Sequence, residues 1–244
     1  MTKLQSLIIL ISYLFSFFTG TSQINNLSKT VKNSIDSTYT SLIKKNKVIG
    51  TSIAIVDNGK IVYATGYGFS DLKNEIKADA NTIYGIGSIT KSFTALSIMQ
   101  LQDEKKLKVT NSIKDYLHEL DIENPFGDGN QIYINDILSH TSGLPSDVSN
   151  GFFVDNPPSI SWLIKELNKQ RMISPRQYKF AYSNVGYGLL GELITRVSSI
   201  TYADYLKQNI FAPLNMTSSS IGYELPNTSK TYDKKKETKE PLIR

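Results

Sequence analysis

Ser88 and Lys91 stand three residues apart in Gly85-Ile86-Gly87-Ser88-Ile89-Thr90-Lys91, where a glycine-containing loop gives way to strong helix formers. Residues at this spacing share one helix face, so Lys91 Nζ can reach Ser88 Oγ. A serine hydroxyl is a poor nucleophile until a base takes its proton, and a lysine is that base when desolvation or a cationic field lowers its proton affinity. The positive end of a helix dipole acts the same way, disfavouring an ammonium and favouring an alkoxide. The Ser88 backbone N–H at the same helix start can donate to a developing oxyanion. By itself the string is common, and its plain meaning is a capping serine before a solvated lysine.

Tyr182-Ser183-Asn184 follow much later, between a short aromatic segment and an apolar helical run. A tyrosine beside a lysine ammonium can carry a proton between nucleophile and leaving group. Asn184, two residues on, points the same way in an extended segment and can bind a substrate amide and Lys91. His140-Thr141-Ser142-Gly143-Leu144-Pro145 reads as a helix stop, with His140 a structural hydrogen-bonding residue. No serine sits in Gly-x-Ser-x-Gly, which removes the usual signature of a Ser-His-Asp hydrolase.

These residues need elements to hold them. Val31, Ile35, Tyr39, Leu42 and Ile43 have helical spacing within Leu27 to Lys45. The β-branched runs Thr51–Val56 and Ile61–Ala64 flank Asp57-Asn58-Gly59-Lys60, and the Asn-Gly pair predicts a hairpin. Further helices are predicted from Ser88 to the charged Asp103–Lys106, over Ile134–Ser139, Ser161–Gln170 and Val185–Ser198, and from a capping box at Thr201 to a stop before Pro213. Val185–Ser198 is apolar on most sides, as a buried helix is. One helix and a hairpin followed by a long helical stretch is an α+β pattern.

The chain has 244 residues with 27 Lys+Arg against 22 Asp+Glu, two histidines and no cysteine. Disulfides, thiolate metal sites and a cysteine nucleophile are excluded, and two histidines do not make a multi-histidine centre. Lys3, the apolar run Leu7–Phe18 and the small residues up to Ser22 form a signal-peptide pattern over 1–22, predicting a secreted or periplasmic protein. That run is shorter than the ~20 residues a membrane-spanning helix needs, so no stable anchor is expected. Much of the positive charge lies in 229–244, where Lys230, Lys234, Lys235, Lys236, Lys239 and Arg244 face Asp233, Glu237 and Glu240. That segment reads as a charged tail without regular structure, leaving 23–228 as the folded domain. With the domain itself nearly neutral and no basic–aromatic stripe, no nucleic-acid partner is expected.

Several stretches together resemble the serine β-lactamase and penicillin-binding-protein superfamily, in its class C β-lactamase, DD-peptidase and esterase branch. They are Tyr63-Ala64-Thr65-Gly66-Tyr67-Gly68, Gly87-Ser88-Ile89-Thr90-Lys91-Ser92-Phe93-Thr94, Leu138-Ser139-His140-Thr141-Ser142-Gly143-Leu144-Pro145, Tyr182-Ser183-Asn184-Val185-Gly186-Tyr187 and Ile210-Phe211-Ala212-Pro213-Leu214-Asn215-Met216, spread over about residues 27–222. The resemblance implies Ser88 as acylated nucleophile, Lys91 as its base partner, Tyr182 as proton shuttle and Asn184 as a ligand of the substrate amide. The Ser88 N–H would be one oxyanion donor. The implied chemistry is hydrolysis of a D-Ala-D-Ala peptide, a β-lactam or an ester through an acyl-enzyme, with no metal and no organic cofactor.

The sequence departs from the family in its third motif, Lys-Thr-Gly or His-x-Gly, carried on a strand that lines the site. No histidine follows Asn184, and the one Lys-Thr pair beyond Asn184, Lys230-Thr231, runs into Tyr232 and the tail, where no strand is expected. The family's C-terminal strands and helix are without counterparts, leaving a lone hairpin that is marginal in water. The alternatives to an active hydrolase are therefore a truncated, catalytically impaired product, a non-catalytic cell-wall or peptide-binding module, or one half of a split protein whose sheet a second chain completes.

Overall fold

The computed structural model describes residues 27–127, 129, 131–148, 159–222, 225–233 and 236–238, so segment 1–22, expected from its pattern to be a signal peptide, lies outside the described residues. The chain divides into two compact units, residues 1–82 and 83–244.

In the first unit, helix α1 (Lys29–Lys44) starts at Ser28, whose Oγ accepts from the Val31 N–H. Strands β1 (Gly50–Asp57) and β2 (Lys60–Asp71) form the expected hairpin, with Asn58 and Gly59 both at positive φ as its tight turn demands. The expectation of a lone hairpin needs correction. β2 runs seven residues past Ala64, and β3 (Ile76–Lys77) pairs with Phe69 and Asp71, giving the order β1-β2-β3. Two residues are too few for an alternating pattern to show in sequence. Gly66 permits the approach of the next segment, since a Cβ there would lie 2.3 Å from the Ala78 carbonyl.

Helix α1 is fastened to β2 by Asp36. Its carboxylate accepts from Tyr63 Oη at 2.7 Å, Tyr67 Oη at 2.6 Å and Lys32 Nζ at 2.6 Å, and the rings of Tyr39 and Tyr67 stack. The Lys32 bond, then the two phenols, hold the Asp36 carboxyl down at about 2.

The second unit carries the apolar core. Its elements are α2 (Thr90–Asp103), a 3-10 turn at Ile113–Asp115, α3 (Ile134–Leu138), α4 (Ile160–Leu167), α5 (Asn184–Ser198), α6 (Tyr202–Leu206) and a π-helical turn Lys207–Phe211. Helix α5 is central: Val185, Leu189, Leu190, Leu193 and Ile194 are buried, and it packs against α2, α3, α4 and α6. From α2, Ile98 and Leu101 enter the same core, and Ile134 and Ile137 do so from α3. The Thr201 cap forms as expected, its Oγ1 accepting from the Asp204 N–H.

The expected unstructured tail also differs. Within 229–244, β4 (Thr231–Asp233) and β5 (Lys236–Thr238) pair as a two-stranded hairpin, so the Lys-Thr pair enters a strand after all. Just before it, Ser229 N donates to Ile83 O and Ile83 N to Asn227 O. Ladder bonds involve only backbone, and a charged composition does not disclose them.

The Asp36 tie sets a pH-dependent stability. Because its folded value lies below the unfolded carboxylate value near 3.9, its contribution is present above about pH 4 and lost as pH falls toward 2. Asp36→Asn should lower the thermal midpoint at pH 7, and the difference from wild type should close toward pH 2. Melting followed by circular dichroism at both pH values tests this; an equal difference at both would show that the ionised carboxylate is not the tie.

Candidate active site

Ser88 lies in a 3-10 turn, Gly87–Ile89, that feeds directly into α2. The regular α-helix therefore begins two residues later than Ser88. Gly87 sits at φ +50°, a left-handed conformation that suits glycine and starts the turn. The N–H groups at such an entry have no intrahelical carbonyl to meet, which leaves the Ser88 N–H suited to an oxyanion. Lys91 follows in the first turn of α2, and the buried Thr94 farther along exchanges a 2.7 Å hydrogen bond with Tyr202 Oη on α6.

The four residues singled out from sequence are brought together. Lys91 Nζ donates to Ser88 Oγ at 3.2 Å and to Asn184 Oδ1 at 2.7 Å, and Tyr182 Oη donates to Ser88 Oγ at 2.7 Å. The Lys91 ammonium also lies 4.7 Å from the centre of the Tyr182 ring. Burial alone raises the Tyr182 phenol, but hydrogen bonds to Lys91 and Ser88 and the Lys91 charge outweigh it, so the phenol titrates below its ordinary value. This arrangement can stabilise an alkoxide on Ser88 and move its proton. Ser88 and Tyr182 are both exposed, which leaves the hydroxyl open to a ligand.

Four further residues hold this cluster, and two of them, Asp136 and Asp147, were missed in sequence. Ser183, the N-cap of α5, accepts from Gly186 N and donates to Pro145 O, so the start of α5 is sewn to the loop after α3. His140, expected to be structural, accepts from the Ser183 N–H at its Nδ1 at 3.1 Å and lies against the Tyr182 ring with centroids 4.5 Å apart. With Nδ1 an acceptor, the ring is neutral and carries its proton on Nε2. Burial, then the nearby Lys91 charge, pushes His140 below its ordinary value.

Asp136 and Asp147 gave no signal in sequence, since both read as ordinary polar positions. Asp136 is 2% exposed; its carboxylate takes Arg176 Nε at 2.7 Å and Gln177 Nε2 at 2.9 Å. Gln177 is held at φ +60°, and its N–H donates to Thr141 O. Asp136 thus locks the segment leading to Tyr182 onto the loop carrying His140. Asp147 Oδ1 accepts from Asn184 Nδ2 at 3.0 Å, which turns the amide so that its oxygen faces Lys91. Among the described residues no group of three or more His, Asp or Glu is placed to hold a metal.

The chain matches the profile of the Beta-lactamase family over residues 35–241, and it belongs to that family. It is 31% identical over 224 residues to Protein flp of Staphylococcus aureus, covering 85% of this chain and 44% of that protein. It is 30% identical over 201 residues to the teichoic acid D-alanine hydrolase of Staphylococcus aureus, covering 81% of this chain and 48% of that one. Among solved structures, the octameric penicillin-binding protein homologue of Pyrococcus abyssi superposes with a TM-score of 0.72 at 30% identity, covering 86% of this chain and 50% of that one. The chain spans about half the length of the curated relatives it matches. The fold is the β-lactamase/transpeptidase-like one that the motifs implied.

Two outcomes check the supports. Asp136→Ala should lower unfolding free energy by about 3 kcal/mol, the low end for a broken buried pair because Arg176 keeps some solvent contact. Urea denaturation measures it, and a loss under 1 kcal/mol would contradict the clamp. In an imidazole NMR titration His140 should titrate below 6.5, and Lys91→Ala should move it upward. Since the folded value is the lower one, this group's contribution to stability is complete above its unfolded value and falls away as pH drops through the folded value.

Proposed function

We propose that the chain is an exported serine hydrolase that works through an acyl intermediate on Ser88. The observation that carries this reading is the convergence of Lys91 Nζ and Tyr182 Oη on one hydroxyl oxygen, with Asn184 holding Lys91 from the other side. Two donors on Ser88 Oγ favour its alkoxide, and a phenol made more acidic by its surroundings is a ready proton carrier.

In the proposed reaction Ser88 Oγ attacks the acyl carbon while its proton passes to Tyr182 Oη in its phenolate form, which the neighbouring Lys91 ammonium favours. The Ser88 N–H donates to the oxyanion. Collapse breaks the bond from the acyl carbon to the leaving oxygen or nitrogen, which receives the proton through Tyr182. Water then attacks the ester carbon, the acid departs, and Ser88 Oγ regains a proton through the same pair. Membership in the β-lactamase family supports hydrolysis, and the substrates proposed are a D-Ala-D-Ala peptide, a β-lactam or a small ester. The name of one relative, a teichoic acid D-alanine hydrolase, favours an ester of D-alanine among these. Export rests on the pattern of residues 1–22; among the described residues no helix is long and apolar enough to cross a membrane.

A second reading, completion by another polypeptide, is favoured by β1, which among the described residues is an edge strand of its sheet, with β2 as its strand neighbour. Sedimentation velocity separates the two: a monomer that acylates at full rate argues for the first.

The test is the rate at which a fluorescent fluorophosphonate labels the protein. Wild type should label, and Ser88→Ala should not. Lys91→Ala and Tyr182→Phe should each slow labelling by ~10²-fold or more, with unchanged melting. Labelling that persists in Ser88→Ala at the wild-type rate would overturn the assignment.

A further inference from the structure

We infer that Asp147 makes the site selective for acyl donors that carry a free α-ammonium group, an inference that rests on the acyl-Ser88 reading above. Asp147 Oδ1 accepts from Asn184 Nδ2 at 3.0 Å and Oδ2 accepts from Ser146 Oγ at 2.9 Å. A carboxylate offers about four acceptor directions, so these two bonds leave capacity for another donor. The side chain is exposed, and among the described residues no lysine or arginine pairs with it. Its position is fixed from beneath: Ser146 O accepts from the N–H groups of Asn184 and Val185 at 2.8 and 3.3 Å, tying this loop to the start of α5.

Hydrogen-bond connectivity links this anion to the nucleophile through Asn184, a residue able to bind a substrate amide, and Lys91. Tyr182 bonds Ser88 directly, and Lys91, Asn184 and Asp147 follow one another in a second chain of bonds from the same hydroxyl. A substituent on the α-carbon of a bound acyl group that reaches the Asn184 amide therefore also meets Asp147. One donor hydrogen of the Asn184 amide is already committed to Asp147. A neutral acylamino carbonyl arriving there meets a carboxylate that repels it, and an ammonium meets one that accepts it. The ammonium also offsets the negative charge that Asp147 adds beside Tyr182.

The selectivity is read in a single acylation step, by intact-mass measurement of the rate of Ser88 adduct formation from the phenyl esters of D-alanine and of N-acetyl-D-alanine. Wild type should favour the free-amine ester. Asp147→Asn, of the same size, should reduce the ratio of the two rates by about tenfold, the usual margin of a charged over a neutral hydrogen bond. Asp147→Glu should restore much of it. Equal slowing of both esters in Asp147→Asn would show that Asp147 acts only by positioning Asn184, and an unaltered ratio would show no selective role; either overturns the inference. Absence of any Ser88 adduct in wild type would instead overturn the acyl-serine reading on which it rests.

Discussion

Lys91 is the point on which the site depends. Its ammonium reaches back to Ser88 in the turn that opens its own helix, and across to Asn184 at the start of α5. Two helix beginnings are thereby joined through one nitrogen, and a shift of either by an ångström would break a bond of 2.7 Å at Asn184 or 3.2 Å at Ser88. A cation between two helix N-termini is electrostatically disfavoured, since both dipole ends are positive. The acceptors supplied to it, a hydroxyl and an amide oxygen, are what make the arrangement tenable.

The surrounding structure is organised to hold those two helix starts in register. Ile98 and Leu101 of α2 and five apolar residues of α5 share one core, so the helices are fixed by close-packed side chains. The loop after α3 does the finer work. It supplies Pro145 O and Ser146 O to the first residues of α5, His140 to the Ser183 N–H, and Asp147 to the Asn184 amide. Asp136 secures this loop to the segment carrying Tyr182 through Arg176 and Gln177. The strained φ of Gln177 is held by that same carboxylate and by the bond to Thr141 O.

What could be read from sequence were features with a local cause. The Asn58-Gly59 turn, the Thr201 cap and the apolar periodicity of α5 each follow from neighbours in the chain. Ser88, Lys91, Tyr182 and Asn184 could be singled out by residue type and short spacing, and the fold brings the four together. Asp136 and Asp147 were not, because their partners are distant in sequence and either aspartate looks solvated when seen alone. β3 and the β4–β5 hairpin escaped for a related reason. Strands of two or three residues are specified by a backbone partner, and β4–β5 lies in a segment whose charge suggests the opposite.

The chain is a member of the β-lactamase family that spans about half the length of the curated relatives it matches, and within that span the Ser88–Lys91–Tyr182–Asn184 cluster is assembled. Whether that cluster does covalent chemistry is settled most directly by rapid-quench intact-mass spectrometry with a D-alanine ester, followed by peptide mapping. An acyl-serine enzyme gives a transient mass increase equal to the acyl group, located on the peptide containing Ser88 and decaying as the acid appears. Release of acid with no such species on Ser88 at any time, or an adduct on a different residue, would contradict it.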